Sequence, residues 1–268
     1  MQVQTLLRCG AFLAAFVVPV PVMAQEGGGL PVDLELVLAV DISGSIDEIE
    51  ARLQREGYIR ALAHPEIIQA IQSGVHGRIA ITYIEWASDD DQQTLIEWTL
   101  VRDDASAKML AHALAEAPLS TGRWTSISGA IDYSAKLFDN NGYQGSRRVI
   151  DVSGDGDNNR GRPAEWARDQ AVAAGITING LPILNGRPNP WGGTPLADLD
   201  RYFEEHVIGG PGAFIVVAED FTAFAQAIMN KLLIEIAGVA PGEMLARSGC
   251  CHLANLITDV QDRPARAG

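Results

Sequence analysis

Hydrophobic residues along the chain form short runs that alternate with helical segments. A near-continuous apolar run at residues 34–40 is typical of a parallel strand with both faces covered. Asp47, followed three residues later by Glu50, forms a capping-box pattern that predicts a helix to about Ala63, before Pro65. The first predicted unit is therefore a strand, a loop and a helix.

Two further runs, residues 78–86 and 94–101, alternate between apolar and polar side chains. The polar segment between them, residues 88–93, contains three consecutive aspartates and is typical of a solvated hairpin tip. This spacing predicts a hairpin, so one edge strand of the sheet should be antiparallel.

The rest of the chain continues the alternation of strands and helices. Strands are predicted at residues 147–153, 176–184 and 213–218. Helices are predicted at residues 103–117, from the segment 125–131 to about 138, from 163, at 195–206 and at 220–236. The pattern predicts a doubly wound α/β fold, with a mostly parallel sheet, one antiparallel edge strand and helices on both faces.

The first 24 residues have the three parts of a secretory signal peptide. Arg8 supplies a positive charge, residues 11–22 are largely apolar, and the small residues around Ala24 suit cleavage after it. The apolar run is shorter than a membrane span needs. We therefore expect a periplasmic or extracellular protein with no stable membrane insertion after cleavage.

The remaining chain is predicted to have three parts. They are a flexible lead-in at residues 25–31, one α/β domain at residues 32–237 and a weakly ordered tail at residues 238–268. The tail carries the adjacent Cys250 and Cys251, which can bridge each other only through a strained ring. Free thiols or an intermolecular link are favoured over that bridge, and the predicted fold needs neither.

The charge balance restricts the partners that the protein can bind. The chain has 20 Lys and Arg residues against 34 Asp and Glu, a net charge of −14, and it shows no basic stripe. Nucleic acids and anionic membrane surfaces are therefore poor partner candidates.

Polar side chains follow two of the predicted strands. Asp41, Ser43 and Ser45 come directly after the first strand, and Asp155 lies in an acidic, glycine-containing turn after a later one. In a doubly wound sheet, ligands bind beyond the carboxyl ends of the strands, where the strand order reverses. If the two strands are neighbours there, the two carboxylates face each other, and Thr125 can join them from a loop on the same side.

Two carboxylates and three hydroxyls are hard oxygen donors. They suit Mg²⁺, with Mn²⁺ or Ca²⁺ as possible substitutes. Because five side chains do not fill the octahedral shell of Mg²⁺, an open coordination position would remain and attract a carboxylate from outside. The predicted partner is therefore a protein that presents an Asp or Glu side chain.

Three elements in the right order resemble the metal-ion-dependent adhesion site of the von Willebrand factor A domain. The Asp-x-Ser-x-Ser motif of that family matches residues 41–45, and its threonine-containing loop matches residues 125–131. Its Thr-Asp-Gly-Glu turn is similar to residues 154–157, with Gly154 and Asp157 as departures. The resemblance covers about residues 32–237, and the secreted architecture looks like a bacterial branch of the family.

The resemblance implies a metal-dependent adhesion or scaffolding module without catalytic turnover. In the family, the hydroxyls contact the metal and the two aspartates contact it directly or through water. By resemblance, these roles fall to Asp41, Ser43, Ser45, Thr125 and Asp155. The resemblance also implies that movement of the closing helix, residues 220–236, can follow occupancy of the site.

Two other interpretations of these residues stay open. Asp and Ser favour loops and helix caps, so the motif can also mark a structural module with a vestigial metal site. Asp41 can also be the phosphoryl acceptor of a metal-dependent phosphohydrolase, although a dehalogenase-type phosphatase would have a second Asp in place of Ser43.

Three more residues are candidates for supporting the ligands or lining the rim of the site, where aromatic side chains anchor partners. They are Asp157, Trp124 and Trp191. Turn formation is an alternative role for Asp157, and packing is an alternative role for both tryptophans.

Overall fold

The computed structural model of the protein describes residues 28–185 and 196–238. The predicted signal peptide, the cysteine-containing part of the tail and Trp191 lie outside the described residues. Within the described ranges, no helix is long and apolar enough to span a bilayer.

The strands and helices largely follow the predicted alternation. The strands are β1 Leu30–Val32, β2 Glu35–Asp41, β3 Ile79–Trp86, β4 Gln92–Val101, β5 Tyr143–Gly145, β6 Arg148–Gly154 and β7 Thr177–Pro182. The α-helices are α1 Glu48–Leu62, α2 Pro65–Gln72, α3 Asp104–Glu116, α4 Ile127–Leu137, α5 Ala164–Ala173, α6 Leu199–Tyr202 and α7 Phe224–Ala237. A π-helical turn, Phe203–Val207, continues α6.

Five strands form one sheet in the order β4-β3-β2-β6-β7. All neighbours are parallel except β3 and β4, so the doubly wound fold with one antiparallel edge strand is confirmed. The chain leaves the central β2 towards β3 and β4, and then returns to its other side with β6 and β7. The strand order therefore reverses between β2 and β6, which is where a doubly wound sheet binds ligands.

Helices cover both faces of the sheet because side chains alternate between the faces along each strand. Every residue of β2 is buried. Leu36 and Leu38 pack in the core beneath α1, α2, α3 and α7, whereas Val37 and Ala39 pack in the core beneath α4, α5 and α6. The carboxyl end of β2 is thus held from both sides.

Three elements, α2, β1 and β5, were not predicted. Pro65 was interpreted as a helix stop, but it also begins α2, because proline suits the first helical position and the His64 side chain accepts a hydrogen bond from the Glu66 amide. Leu30 and Pro31, placed in the flexible lead-in, belong to β1, which pairs in parallel with β5.

The predicted strand at residues 213–218 is not a regular strand. It runs beside β7 and makes only isolated bridges, at Ile215 with Gly180 and at Ala218 with Ile183. Pro182 lies between those positions and has no amide hydrogen, so the ladder of hydrogen bonds is interrupted there.

Two predicted helix starts also shift. The helix predicted from residue 195 begins at Leu199 within the described residues, and the closing helix α7 begins at Phe224. Asp220, predicted to cap the closing helix, instead accepts hydrogen bonds from the amides of Thr222 and Ala223 in the turn before it.

A buried charged cluster joins α7 to the sheet. Lys231 Nζ lies 2.6 Å from Asp151 Oδ1 and 2.5 Å from Glu235 Oε1, and none of the three side chains reaches solvent. Asn179 donates a further hydrogen bond to Glu235. Burial, together with the nearby Glu235, raises the pKa of Asp151 to about 7, because two carboxylates share one ammonium group.

We expect Asp151→Asn to reduce the pH dependence of stability. The pKa of about 7 for Asp151 in the folded protein lies above its ordinary value, so the folded state keeps a proton that the unfolded chain releases. The free energy of unfolding should therefore fall as the pH rises from about 4 to about 7, and Asn imitates the protonated acid.

Thermal unfolding at about pH 5 and about pH 8 measures this difference. The exposed Asp169→Asn serves as the control, because Asp169 is paired only at the surface with Arg168. An equal loss of stability with rising pH in the wild type and in Asp151→Asn would contradict the expectation.

Candidate metal centre

Asp41 ends the central strand with its carboxylate fully buried. Its Oδ1 accepts a hydrogen bond of 2.7 Å from the amide of Ser43, which fixes the turn after the strand. Its Oδ2 is buried and has no hydrogen-bond partner among the described residues. Because an unpaired buried carboxylate oxygen is unfavourable, a cation at this oxygen would satisfy it.

The turn after β6 meets the turn after β2, as the sequence predicted. The two strands pair up to Val40 and Ser153. Ser45 Oγ donates a hydrogen bond of 2.6 Å to Asp155 Oδ1, and the hydroxyls of Ser45 and Ser43 lie 3.1 Å apart. Two carboxylates and two hydroxyls are therefore gathered at the point where the strand order reverses.

Thr125 lies beside the same turn and is almost fully buried. A Cβ placed on Gly156 would lie 3.8 Å from Thr125 Oγ1. The Thr125 backbone is fixed by residues after β6: its amide donates to Asn159 Oδ1, and its carbonyl accepts from the amides of Asn159 and Arg160. The structure thus brings all five predicted ligands to one edge of the sheet, and their metal-binding role stays a prediction.

Gly154 departs from the threonine of the family motif, and its position explains why a small residue is suitable here. A Cβ at this position would lie 2.9 Å from Asp41 Oδ2, the buried oxygen without a partner. The backbone of β6 therefore approaches the Asp41 carboxylate more closely than a side chain would allow.

We expect Gly154→Ala to weaken Mg²⁺ binding by about tenfold or more, because the added methyl group would displace the Asp41 carboxylate. Gly156→Ala is the matched control, since its Cβ would make only ordinary contacts with Thr125. Calorimetric titration of both variants measures the difference. Equal affinities in the two variants would show that the space beside Asp41 is not part of the site.

The two carboxylates share a poorly solvated environment. Burial and the nearby Asp155 raise the pKa of Asp41 well above its usual range. Burial also raises the pKa of Asp155 to about 6, with a contribution from Glu50. Burial is the largest cause of both shifts and outweighs the hydrogen bonds to these carboxylates; a bound divalent cation would offset it.

Sequence reasoning missed part of the polar network that supports the site. Glu50 was predicted only as a capping residue, and its Oε2 does accept from the Asp47 amide. Its Oε1 also accepts a hydrogen bond of 3.1 Å from Asn185, whose side chain bonds Asp155 as well. Asn185 had no sequence signal, because it lies in a loop and its partners are distant in the chain.

Both described candidates for the rim, Trp124 and Asp157, are exposed next to candidate ligands. Trp124, directly before Thr125, is 58% exposed and has a left-handed backbone with φ of 65°. Asp157 is exposed just beyond Gly156. Their predicted roles at the rim are not settled by this placement.

No group of three or more His, Cys, Asp and Glu side chains is gathered as metal ligands among the residues that the structure describes. The candidate centre contains only two carboxylates and takes its other oxygens from hydroxyls. Its donor set is therefore the kind that suits hard cations such as Mg²⁺.

The sequence matches a family described as "Protein of unknown function (DUF1194)" over residues 31–240, which is most of the chain. No curated protein matches it.

Solved structures with a similar fold include von Willebrand factor type A from Catenulispora acidiphila, with a TM-score of 0.52, 13% identity, and coverage of 77% of this chain and 42% of that one. Proximal thread matrix protein 1 from the mussel byssus, with a zinc-occupied MIDAS motif, has a TM-score of 0.56 and 13% identity. The match covers 78% of this chain and 49% of the mussel protein. The pilus adhesin SpaC from Lactobacillus rhamnosus GG has a TM-score of 0.54 and 16% identity. The match covers 78% of this chain and 31% of the adhesin.

At these identities the likeness concerns the fold, which is that of von Willebrand factor A domain proteins. The chain spans about half the length of the mussel protein that it matches.

Proposed function

The chain belongs to the family described as "Protein of unknown function (DUF1194)", and we propose that it is a divalent-metal-dependent protein-binding module for adhesion or scaffolding. It acts in the periplasm or outside the cell, after cleavage of the signal peptide behind Ala24. A bound Mg²⁺ accepts an Asp or Glu side chain of a partner protein.

One observation carries this proposal: the turns after β2 and β6 meet at the reversal of strand order and leave a buried carboxylate oxygen, Asp41 Oδ2, without a partner among the described residues. The residues that would hold the metal are Asp41, Ser43, Ser45, Thr125 and Asp155. When bound, the metal supplies a Lewis-acid position that attracts a carboxylate from outside.

The structural neighbours support a protein-interaction role. They include a pilus adhesin and a byssus matrix protein whose MIDAS motif holds zinc. These properties belong to the neighbours, and for this chain they make a divalent cation and a protein partner the favoured combination.

The phosphohydrolase alternative would require Asp41 to reach a phosphorus atom. Asp41 is fully buried, and one of its oxygens is held by the Ser43 amide. A nucleophilic carboxylate needs access to its substrate, so we propose binding without catalytic turnover.

Selection of peptides by the protein tests the proposed function. A random-peptide library displayed on phage is bound to the immobilised protein in Mg²⁺ and then eluted with EDTA. We expect the eluted sequences to share an Asp or Glu, and synthetic copies to lose binding when that acid is changed to its amide. Asp41→Ala, which lacks the buried carboxylate, should select no such peptides.

Two results of the peptide selection would contradict the proposed function. If EDTA elutes no acidic peptides from the wild type, or if Asp41→Ala selects the same peptides, docking of an acidic side chain on a metal is wrong.

A further inference from the structure

We propose that Trp124 is the apolar contact of the docking surface, so that the partner presents its acidic residue with a large apolar side chain within two residues of it. This inference rests on the proposed function and adds the second feature by which the partner is recognised.

Trp124 is exposed in an unfavourable backbone conformation. Its φ of 65° lies in the left-handed region, which side chains with a Cβ adopt rarely and which suits glycine. Its indole is 58% exposed, so burial of the ring does not explain why a tryptophan occupies this position. Strained residues of this kind are concentrated at functional sites.

Hydrogen bonds on both sides of Trp124 hold this conformation. Before it, the Gly122 amide donates to the Ile42 carbonyl at 2.7 Å. After it, the Thr125 amide donates to Asn159 Oδ1, and the Ser126 amide donates to the Ala87 carbonyl at 2.7 Å. The backbone that carries the indole is therefore fixed before any partner arrives, which reduces the entropy lost on binding.

Arg160 lies against the indole and is itself fixed. Its guanidinium carbon is 5.9 Å from the centre of the Trp124 ring, and its Nε donates to Asp89 Oδ1 at 2.9 Å. Because its charge is paired with Asp89, Arg160 supports the ring, and the acidic residue of the partner is held at the candidate metal centre beside it. An anionic membrane surface is a poor occupant, because the chain has a net charge of −14.

Other exposed apolar side chains lie at the same edge of the sheet. Ile49, in the first turn of α1, is 70% exposed, and Leu119, which lines a small cavity with Asp41, is 37% exposed. Of the two, Leu119 lies beside the candidate ligand Asp41 and adds a second exposed apolar side chain near it.

The spacing fits an extended peptide. Trp124 and the candidate ligand Thr125 are adjacent, so their Cα atoms are about 3.8 Å apart. Side chains two residues apart on an extended strand lie about 7 Å apart on the same face. A partner residue two positions from the metal-bound acid therefore lies on the same face of the peptide as the acid, at a distance that a side chain adjacent to Thr125 can span.

Substitution by glycine separates binding from folding. Because glycine adopts positive φ freely, Trp124→Gly should keep Mg²⁺ binding and leave the thermal midpoint equal or higher. Its affinity for the peptides selected by the wild type should fall by about 10- to 30-fold, the range for removing an aromatic anchor. Trp166→Ala, at an equally exposed tryptophan on α5, should bind these peptides as the wild type does.

The peptides supply the second half of the test. Their sequences should show a large apolar residue within two positions of the acid. Changing that residue to serine should weaken binding to the wild type but should not further weaken binding to Trp124→Gly.

Acidic peptides without such a neighbour would overturn this inference and leave the proposed function standing. Unchanged affinity in Trp124→Gly, or a clear fall in its thermal midpoint, would also overturn it. If the wild type yields no EDTA-eluted acidic peptides, the inference fails together with the proposed function.

Discussion

Lys231→Met should lower the free energy of unfolding by about 3–5 kcal/mol, the usual effect of removing one partner of a buried ion pair. Lys231 is fully buried between Asp151 and Glu235. Methionine fills most of the same space but leaves the two carboxylates without their cation, in a core where they cannot reach water.

Urea unfolding at neutral pH measures this loss. The exposed Lys136→Met is the matched control and should change the stability little. Adding Asp151→Asn to Lys231→Met should recover part of the loss, because Asn is neutral without the proton that a buried Asp151 must take up when its cation is removed. A loss of less than about 1 kcal/mol for Lys231→Met would show that the cluster does not depend on its ammonium group.

Asp41→Asn should weaken Mg²⁺ binding by about 100-fold or more without destabilising the metal-free protein. The amide keeps the shape of the side chain and can still accept the hydrogen bond from Ser43. It carries no charge, whereas burial and Asp155 make the charge of Asp41 unfavourable and raise its pKa. The residue is therefore expected to support binding at the expense of stability.

Thermal unfolding with and without Mg²⁺ measures both effects. Excess Mg²⁺ should raise the midpoint of the wild type, because the cation binds only the folded state, and should not raise that of Asp41→Asn. An equal rise in both proteins would place the binding of Mg²⁺ elsewhere.

Periodicity predicted the centre of the fold, and it predicted the meeting of Asp41 with Asp155 on the condition that their strands are neighbours, which they are. Both carboxylates follow buried strands, and the rule for doubly wound sheets places such strand ends together at the reversal. Local hydrogen-bonding patterns were equally informative, since the capping box of Asp47 and Glu50 is present as predicted.

The remaining features depend on contacts that local patterns do not encode. Asn185 and Asn159 support the site through hydrogen bonds to residues far away in the chain, so no sequence spacing predicts their role. Residues 213–218 look like a strand by composition, but Pro182 on the neighbouring strand interrupts the pairing. Movement of α7 with occupancy of the site stays a prediction.

Calorimetric titration of the protein with Mg²⁺, Mn²⁺ and Ca²⁺ tests the central claim most directly, beside Thr125→Ala and Asp157→Asn. We expect one-to-one binding of Mg²⁺ by the wild type, loss of it in Thr125→Ala, and near wild-type binding in Asp157→Asn, because Asp157 is exposed beside the site rather than part of the ligand set. A wild type that binds none of the three cations, or a Thr125→Ala variant that binds Mg²⁺ as the wild type does, would contradict the account.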